Sequence, residues 1–400
     1  MDIVERFKKY IAFDTMSSET SGTHPSSKSE LFFGDILIAD LRELGVKDIL
    51  KDEHGYIYAH VNNHKEKTIG LIAHMDTAPT IIGGIKNPQI IEKYDGKTIK
   101  LNDEYSMNPE DFTALKEVIG DDLMVTDGTH LLGGDDKAGV VIIFEFLSYY
   151  INHLGEFDYN LSIGFIPDEE IGEGPMFFDV KKMNANIAYT LDGGTIYEAS
   201  CENFNASSAV LTIRGLGVHP GSAKGVMINA ALLGIEFNNM LPSEMVPSKT
   251  DNYEGFIHLT SFTGDVENAK LEYIIRDHDE NLQNDKIEIM KKAAEEIQKR
   301  YPKSIISLKF KEEYKNMRKL FIKDPTAINV INKAYVLSRT KIKYMPIRGG
   351  TDGATISYMG LPCPNLGVGD FNPHGRFEFV SLTQMKAMVD IVKNIFKVVF

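Results

Sequence analysis

Apolar residues recur at Ile3, Phe7, Tyr10 and Ile11, the spacing that lines one face of a helix. A Ser/Thr/Gly-rich loop over 15–27 leads to a second predicted helix ending at Leu44, with Gly45 placed for a left-handed cap. Residues 56–61 and 68–74 read as strands. The second is apolar almost throughout (Ile69, Leu71, Ile72, Ala73), as a strand covered on both faces should be. Residues 84–99 are weakly specified and read as irregular or as a hairpin. The apolar run 140–151 predicts a buried helix, and 161–166 and 187–191 two more strands. Strand and helix alternate, so this half predicts a sheet with helices on its faces.

From about Ser208 the pattern changes. Residues 209–214 predict a strand, 229–241 a helix, 256–262 and 271–276 two strands, 279–300 a long helix and 304–310 a closing strand. The order β-α-β-β-α-β is that of a ferredoxin-like sandwich, complete in itself. Beyond Arg318 the first style returns, with helices over 327–337 and 382–396 and a glycine turn at Gly349-Gly350. The expectation is a discontinuous main domain, 1–206 with 319–400, and a smaller domain inserted at 207–318.

The 400 residues are 43% hydrophobic, enough for a sizeable core. The net charge of −14 argues against nucleic acid or an anionic membrane surface as partner. Only Cys201 and Cys363 are present, so no disulfide framework is expected and a reducing cytoplasm fits. No stretch has the character of a signal peptide or the length of a membrane span.

Five short segments carry candidate chemistry. Leu132-Gly133-Gly134-Asp135-Asp136-Lys137-Ala138-Gly139 places two carboxylates side by side at a tight turn, which is costly unless cations neutralise them. His74-Met75-Asp76 ends an apolar strand, where Asp76 could hold the second ring nitrogen of a ligand His74. Pro167-Asp168-Glu169-Glu170 follows another strand, Asp192-Gly193-Gly194 a third, and Asn372-Pro373-His374-Gly375 lies in the last segment. Each alone reads as an ordinary solvated acidic turn or strand-end pair. Together they set carboxylates and histidines at the C-terminal ends of strands, where open α/β sheets bind ligands. Two histidines and three carboxylates, one of them bridging, would coordinate two zinc ions. No cysteine lies in these motifs, which disfavours softer metals.

These segments resemble the di-zinc aminopeptidase, dipeptidase and aminoacylase-type metallopeptidases, in their aminotripeptidase branch, the peptidase T family. The resemblance is carried by residues 73–77, 126–128, 131–139, 167–170 and 190–194, then by 202–206, 218–221, 273–277, 346–353 and 374–375, nearly the whole chain in the family's order. Departures are Gly134 in place of alanine, Ser222 of threonine, Pro373 before the ligand histidine and Arg376 of lysine. The resemblance implies a mixed-sheet α/β catalytic domain with an inserted ferredoxin-like lid that dimerises. It implies Asp135 as bridging ligand with a cis Asp135–Asp136 bond, one zinc on His74 and Asp192, and the other on Glu170 and His374. Glu169 would be the general base acting on a zinc-bridged water, and Asp76 would orient His74. His219 would reach the oxyanion from a neighbouring subunit. Arg348 and Arg276 would hold the peptide carboxylate, although surface salt bridges are the commoner fate of arginine. Aspartate at 192 goes with amino- and dipeptidases. The expected activity is release of the N-terminal residue from short free-amino peptides, with tripeptides the expected substrates; the alternative is a dipeptidase or N-acyl amino acid deacylase of the same family. A non-catalytic binding module would be free to lose a ligand or the base, and none is missing. Cys201 and Cys363 read as structural, with no basic partner beside Cys363 to make it a nucleophile.

Overall fold

The computed structural model describes residues 1–399. The chain divides into two compact units: Met1–Cys201, Lys319–Met345 and Thr351–Phe400 form one, and Glu202–Arg318 with Pro346–Gly350 the other. The second unit is thus larger than the 207–318 expected from the pattern. Backbone bonds make the difference: Phe204 N–H donates to Ile347 O at 3.1 Å and Ile347 N–H to Glu202 O at 2.9 Å. A glycine turn has no periodicity to announce which strand it will join.

In the first unit, Asp2 caps the helix Ile3–Ile11, which buries Ile3, Phe7, Tyr10 and Ile11. A capping box of Ser27 and Glu30 starts the helix Lys28–Glu43. An eight-stranded mixed sheet runs in the order Asp48–Lys51, Ile57–Val61, Asn160–Ile166, Thr68–His74, Ile187–Leu191, Asn365–Leu366, Glu198–Ser200, Lys343–Tyr344. Its centre is parallel: Thr68–His74 pairs in parallel with both Asn160–Ile166 and Ile187–Leu191. These three strands are buried almost end to end, as their unbroken apolar runs require. The helix Gly134–Asn152 lies against the sheet, burying Val140 through Phe144. A smaller antiparallel sheet joins Asp370–Phe371, Phe379–Ser381, Leu123–Val125 and Gln89–Ile91. The pattern misses it, since strands of two or three residues have no measurable period.

The second unit holds strands Asn205–Arg214, Phe256–Gly264, Asn268–Asp277 and Ile305–Tyr314 with helices Ala230–Met240 and Glu280–Arg300, in the expected β-α-β-β-α-β order. The sheet is wholly antiparallel, with the second strand at one edge, the fourth at the other and the first and third between. Ala269, Leu271, Tyr273 and Ile275 alternate inward and meet Phe237, Met290 and Ile297 of the helices. Among the described residues no helix is long and apolar enough to cross a membrane.

Candidate metal centre

Register brings the first unit's motifs together. His74 lies opposite Ile166, and Ile72 opposite Thr190, so three parallel strands end nearly level. His74, the 167–170 turn and Asp192 therefore start from one edge of the sheet.

The 133–136 turn enters beside them. Gly133 is left-handed, the backbone is non-helical at Asp135 and Asp136, and the peptide bond between these two is cis. Glu378 receives the N–H groups of Gly133 (2.8 Å) and Asp135 (3.0 Å) and so holds the turn from behind. Gly134 has a local reason: a Cβ there would stand 2.4 Å from Asp370 Oδ1 and 2.5 Å from Val380 Cγ2.

Asp135 stands between two histidines. His74 Nε2 is 2.9 Å from its Oδ1, and His374 Nε2 is 3.1 Å from its Oδ2. His374 Nε2 also lies 2.9 Å from Glu170 Oε2, so Pro373 does not keep this ring from the cluster. The structure brings two triads to within ligand reach, His74 with Asp135 and Glu170, and His74 with Asp136 and Asp192. The donors are nitrogen and oxygen only, and Glu170 Oε1 is buried without a partner. A buried carboxylate oxygen left so is costly unless a cation meets it. The set fits hard or borderline divalent cations.

Electrostatics describe the same excess of negative charge. Burial pushes the Asp192 carboxyl up to about 7, helped by the charge of Asp135. Burial and Asp135 likewise raise Glu170. Burial opposes the charge of Asp135, but hydrogen bonds from His374 and His74 hold its carboxyl well below the ordinary range. Hydrogen bonds to Asp135 and Glu170 push His374 up to about 10. Burial disfavours a charged His74, yet its bonds to Asp135 and Asp76 raise it well above the usual histidine value. Glu169 is raised far above the carboxylate range by burial and then by Asp352.

The turn bearing Glu169 and Glu170 is held by three consecutive amides. Asp168 N–H donates to Glu30 Oε2 (3.0 Å), Glu169 N–H to Asp76 Oδ1 (3.0 Å) and Glu170 N–H to Asp76 Oδ2 (3.1 Å). Asp168 is left-handed, and its own carboxylate takes Ser26 N–H at 2.7 Å. Glu170 faces His374, while Glu169 is in none of the groups of converging ligand atoms among the described residues.

Other expected site residues lie in the second unit. His219 is exposed, its Nδ1 accepting from Gly221 N–H. Arg276 donates to Ser207 O and Ile275 O and lies over the Tyr314 ring. Arg348 sits over Phe204 and Phe256 and donates to the carbonyls of Thr250, Asn252 and Glu254 and to Thr250 Oγ1. Both terminal nitrogens of Arg348 are thereby committed within the unit. Cys363 is buried, which pushes its thiol well above the usual value, as a structural cysteine should be.

Sequence reasoning did not assign Glu30, Asp352, Asp370 or Glu378. Asp352 lies in a segment that carried the resemblance. Glu30 closes the capping box with Ser27 and also receives Asp168 N–H, a partner far away in sequence.

Residues 201–304 match the peptidase dimerisation domain of the M20 peptidases. The chain is 45% identical to Peptidase T of Bacillus subtilis over 402 residues, covering 99% of this chain and 98% of that one. It is likewise 45% identical to Peptidase T of Clostridium botulinum, covering 98% of each. Among solved structures, an aminopeptidase from Bacillus cereus shares the fold with a TM-score of 0.76 at 19% identity, covering 99% of this chain and 97% of that one. A dinuclear metal-binding M20 peptidase from Bacillus subtilis does so with a TM-score of 0.64 at 12% identity, over 99% and 96%. By its full-length likeness to these relatives, the chain belongs to the peptidase T family.

Proposed function

We propose that this protein is a metal-dependent aminopeptidase that releases the N-terminal residue of short peptides, tripeptides foremost. One observation carries the reading: Asp135 lies between His74 and His374, with Glu170 on the second histidine and Asp192 beside the first, in a chain matching Peptidase T end to end. His74 and Asp192 would hold one zinc ion, Glu170 and His374 the other, with Asp135 shared. Zinc so held supplies a Lewis acid for the scissile carbonyl and makes a bound water more acidic.

Glu169 is the proton carrier in this reading. Its amide is fixed by Asp76 and its carboxyl is raised by burial and by Asp352. A carboxylate of raised affinity for protons suits taking one from the attacking water and delivering it to the leaving amine. His219, exposed in the unit that matches a dimerisation domain, would serve the oxyanion in another copy of the chain. The protein would accordingly be a homodimer through that unit, acting in the cytoplasm. Arg276 and Arg348 remain candidates for the peptide carboxylate; for Arg348 that role requires release of the 250–254 carbonyls it now holds.

Hydrolysis of a free-amino tripeptide, its N-acetyl form and a dipeptide tests the reading, before and after chelation and zinc return. Tripeptide turnover that is lost on chelation and restored by zinc is expected. Preference for the N-acetyl form or the dipeptide would move the assignment to a deacylase or dipeptidase, and full activity in metal-free protein would end it.

A further inference from the structure

Asp352 is a strongly buried carboxylate at this centre for which no cation is found among the described residues. It opens the helix Asp352–Tyr358 and is 5% exposed. Its carboxylate makes no hydrogen bond or ion pair among the described residues, and it is absent from the groups whose oxygens converge for a metal. It rests against the backbone of Gly174, just past the Glu169–Ile171 turn: a Cβ on Gly174 would stand 2.4 Å from Oδ1 and 2.5 Å from Oδ2. Its charge acts on Glu169, and it in turn senses His74, Asp76 and Asp192. His74 is the histidine in that group, and it is committed to Asp135 and Asp76. Burial disfavours the charged form of this carboxylate, and a positive group from outside the chain would stabilise it.

Resting on the aminopeptidase reading, we propose that Asp352 receives the α-ammonium of the substrate's N-terminal residue and thereby selects free-amino peptides. The covalent structure of the substrate supports the placement. The α-nitrogen is two bonds from the scissile carbonyl carbon, so a base serving that carbon has the ammonium as its neighbour. Asp352 is the carboxylate whose field acts most strongly on Glu169. The α-ammonium is also the one cation common to every substrate of an aminopeptidase, whatever its side chains. Gly174 leaves the space in which the carboxylate sits.

The test compares two non-hydrolysable tripeptide isosteres, one bearing the α-amino group and one lacking it, as competitive inhibitors of the zinc-loaded enzyme. The parent should bind the amino form about 10- to 100-fold more tightly, the range expected for a charge-assisted contact. Asp352→Asn should abolish that preference while leaving the desamino inhibitor and the metal content unchanged. Gly174→Ala, which keeps the carboxylate and displaces it, should reduce the preference in part. Equal weakening of both inhibitors, or a preference retained in Asp352→Asn, would overturn the inference. A parent without metal-dependent tripeptide hydrolysis would overturn the functional reading and this inference with it, whereas an active parent with an unaltered variant would remove this inference alone.

Discussion

The carboxylate of Asp76 receives the backbone N–H of Glu169 at 3.0 Å through one oxygen and that of Glu170 at 3.1 Å through the other. Its contact with His74 is longer, 3.4 Å from Oδ1 to Nδ1, and the ring nitrogen lies nearer the Asp76 main-chain oxygen, at 3.1 Å. Asp76 therefore places both Glu169, the proposed base, and Glu170, the proposed ligand, besides facing the histidine. In Asp76→Asn one oxygen becomes an NH2 group directed at an amide N–H. We expect kcat to fall about 10- to 100-fold, the usual cost of losing such a supporting group, with the fold intact. Unchanged kcat in a metal-replete variant would show that the two amide bonds do not matter to the base.

Adjacent acids on the same turn should separate cleanly by mutation. Glu170 reaches His374 at 2.9 Å and leaves an oxygen unpartnered, whereas Glu169 has no such contact with a candidate ligand. Glu169→Gln should retain its metal and lose about 10²- to 10⁴-fold in kcat. Glu170→Gln should lose metal. Metal analysis beside single-turnover rates checks both, and the reverse pattern would exchange their roles.

Much of this was legible in the sequence, for identifiable reasons. The strands that end at His74 or lead into Glu169 and Asp192 are apolar runs, and the chain's chemistry stands at or just past the end of each. Parallel strands ending level then bring the motifs together without further information. What stayed hidden depends on pairing across distance. Glu30 meets Asp168 across 138 residues, and Glu378 meets Asp135 across 243. Neither has a periodic signal, since a side chain accepting a remote amide leaves no mark on local spacing. The boundary of the second unit was misplaced for the same reason, because residues 346–350 join it through backbone bonds to 202–204.

Metal-free protein should lose stability as pH rises. His374, ordinarily 6.5, is pushed up to about 10 in the fold. Its contribution is complete below pH 6.5 and is lost as pH climbs toward 10. Asp192, raised from 3.8 to about 7, binds its proton more tightly when folded. That group also favours the fold at low pH and ceases to do so as pH passes from about 4 to 7. Asp192 supplies the slope up to about pH 7 and His374 the slope from 6.5 toward 10, so stability falls through both halves of the range from pH 5 to 9. The Tm of chelated protein should fall across this window, and bound zinc should flatten the slope by replacing the protons. A chelated Tm that rises with pH would contradict the charge arrangement.

His219 gives the test of assembly. It is exposed, its Nδ1 is occupied by Gly221 N–H, and it stands in a unit that matches a dimerisation domain, far in sequence from every candidate ligand. If it serves the oxyanion of another copy, His219→Ala should lower kcat by about 10²- to 10³-fold, the range for losing one oxyanion donor, without altering metal content or Tm. Two inactive variants, His219→Ala and Glu169→Ala, can then be dissociated, mixed and reassociated. A heterodimer would contain one site with Glu169 from one chain and His219 from the other, and activity should return in the mixture alone. One intact site in each mixed dimer, and half of the dimers mixed at random, sets the recovery at about a quarter of parental activity on a statistical basis. A mixture that stays inactive while mixed dimers are shown to form would place His219 outside the reaction of a neighbouring subunit.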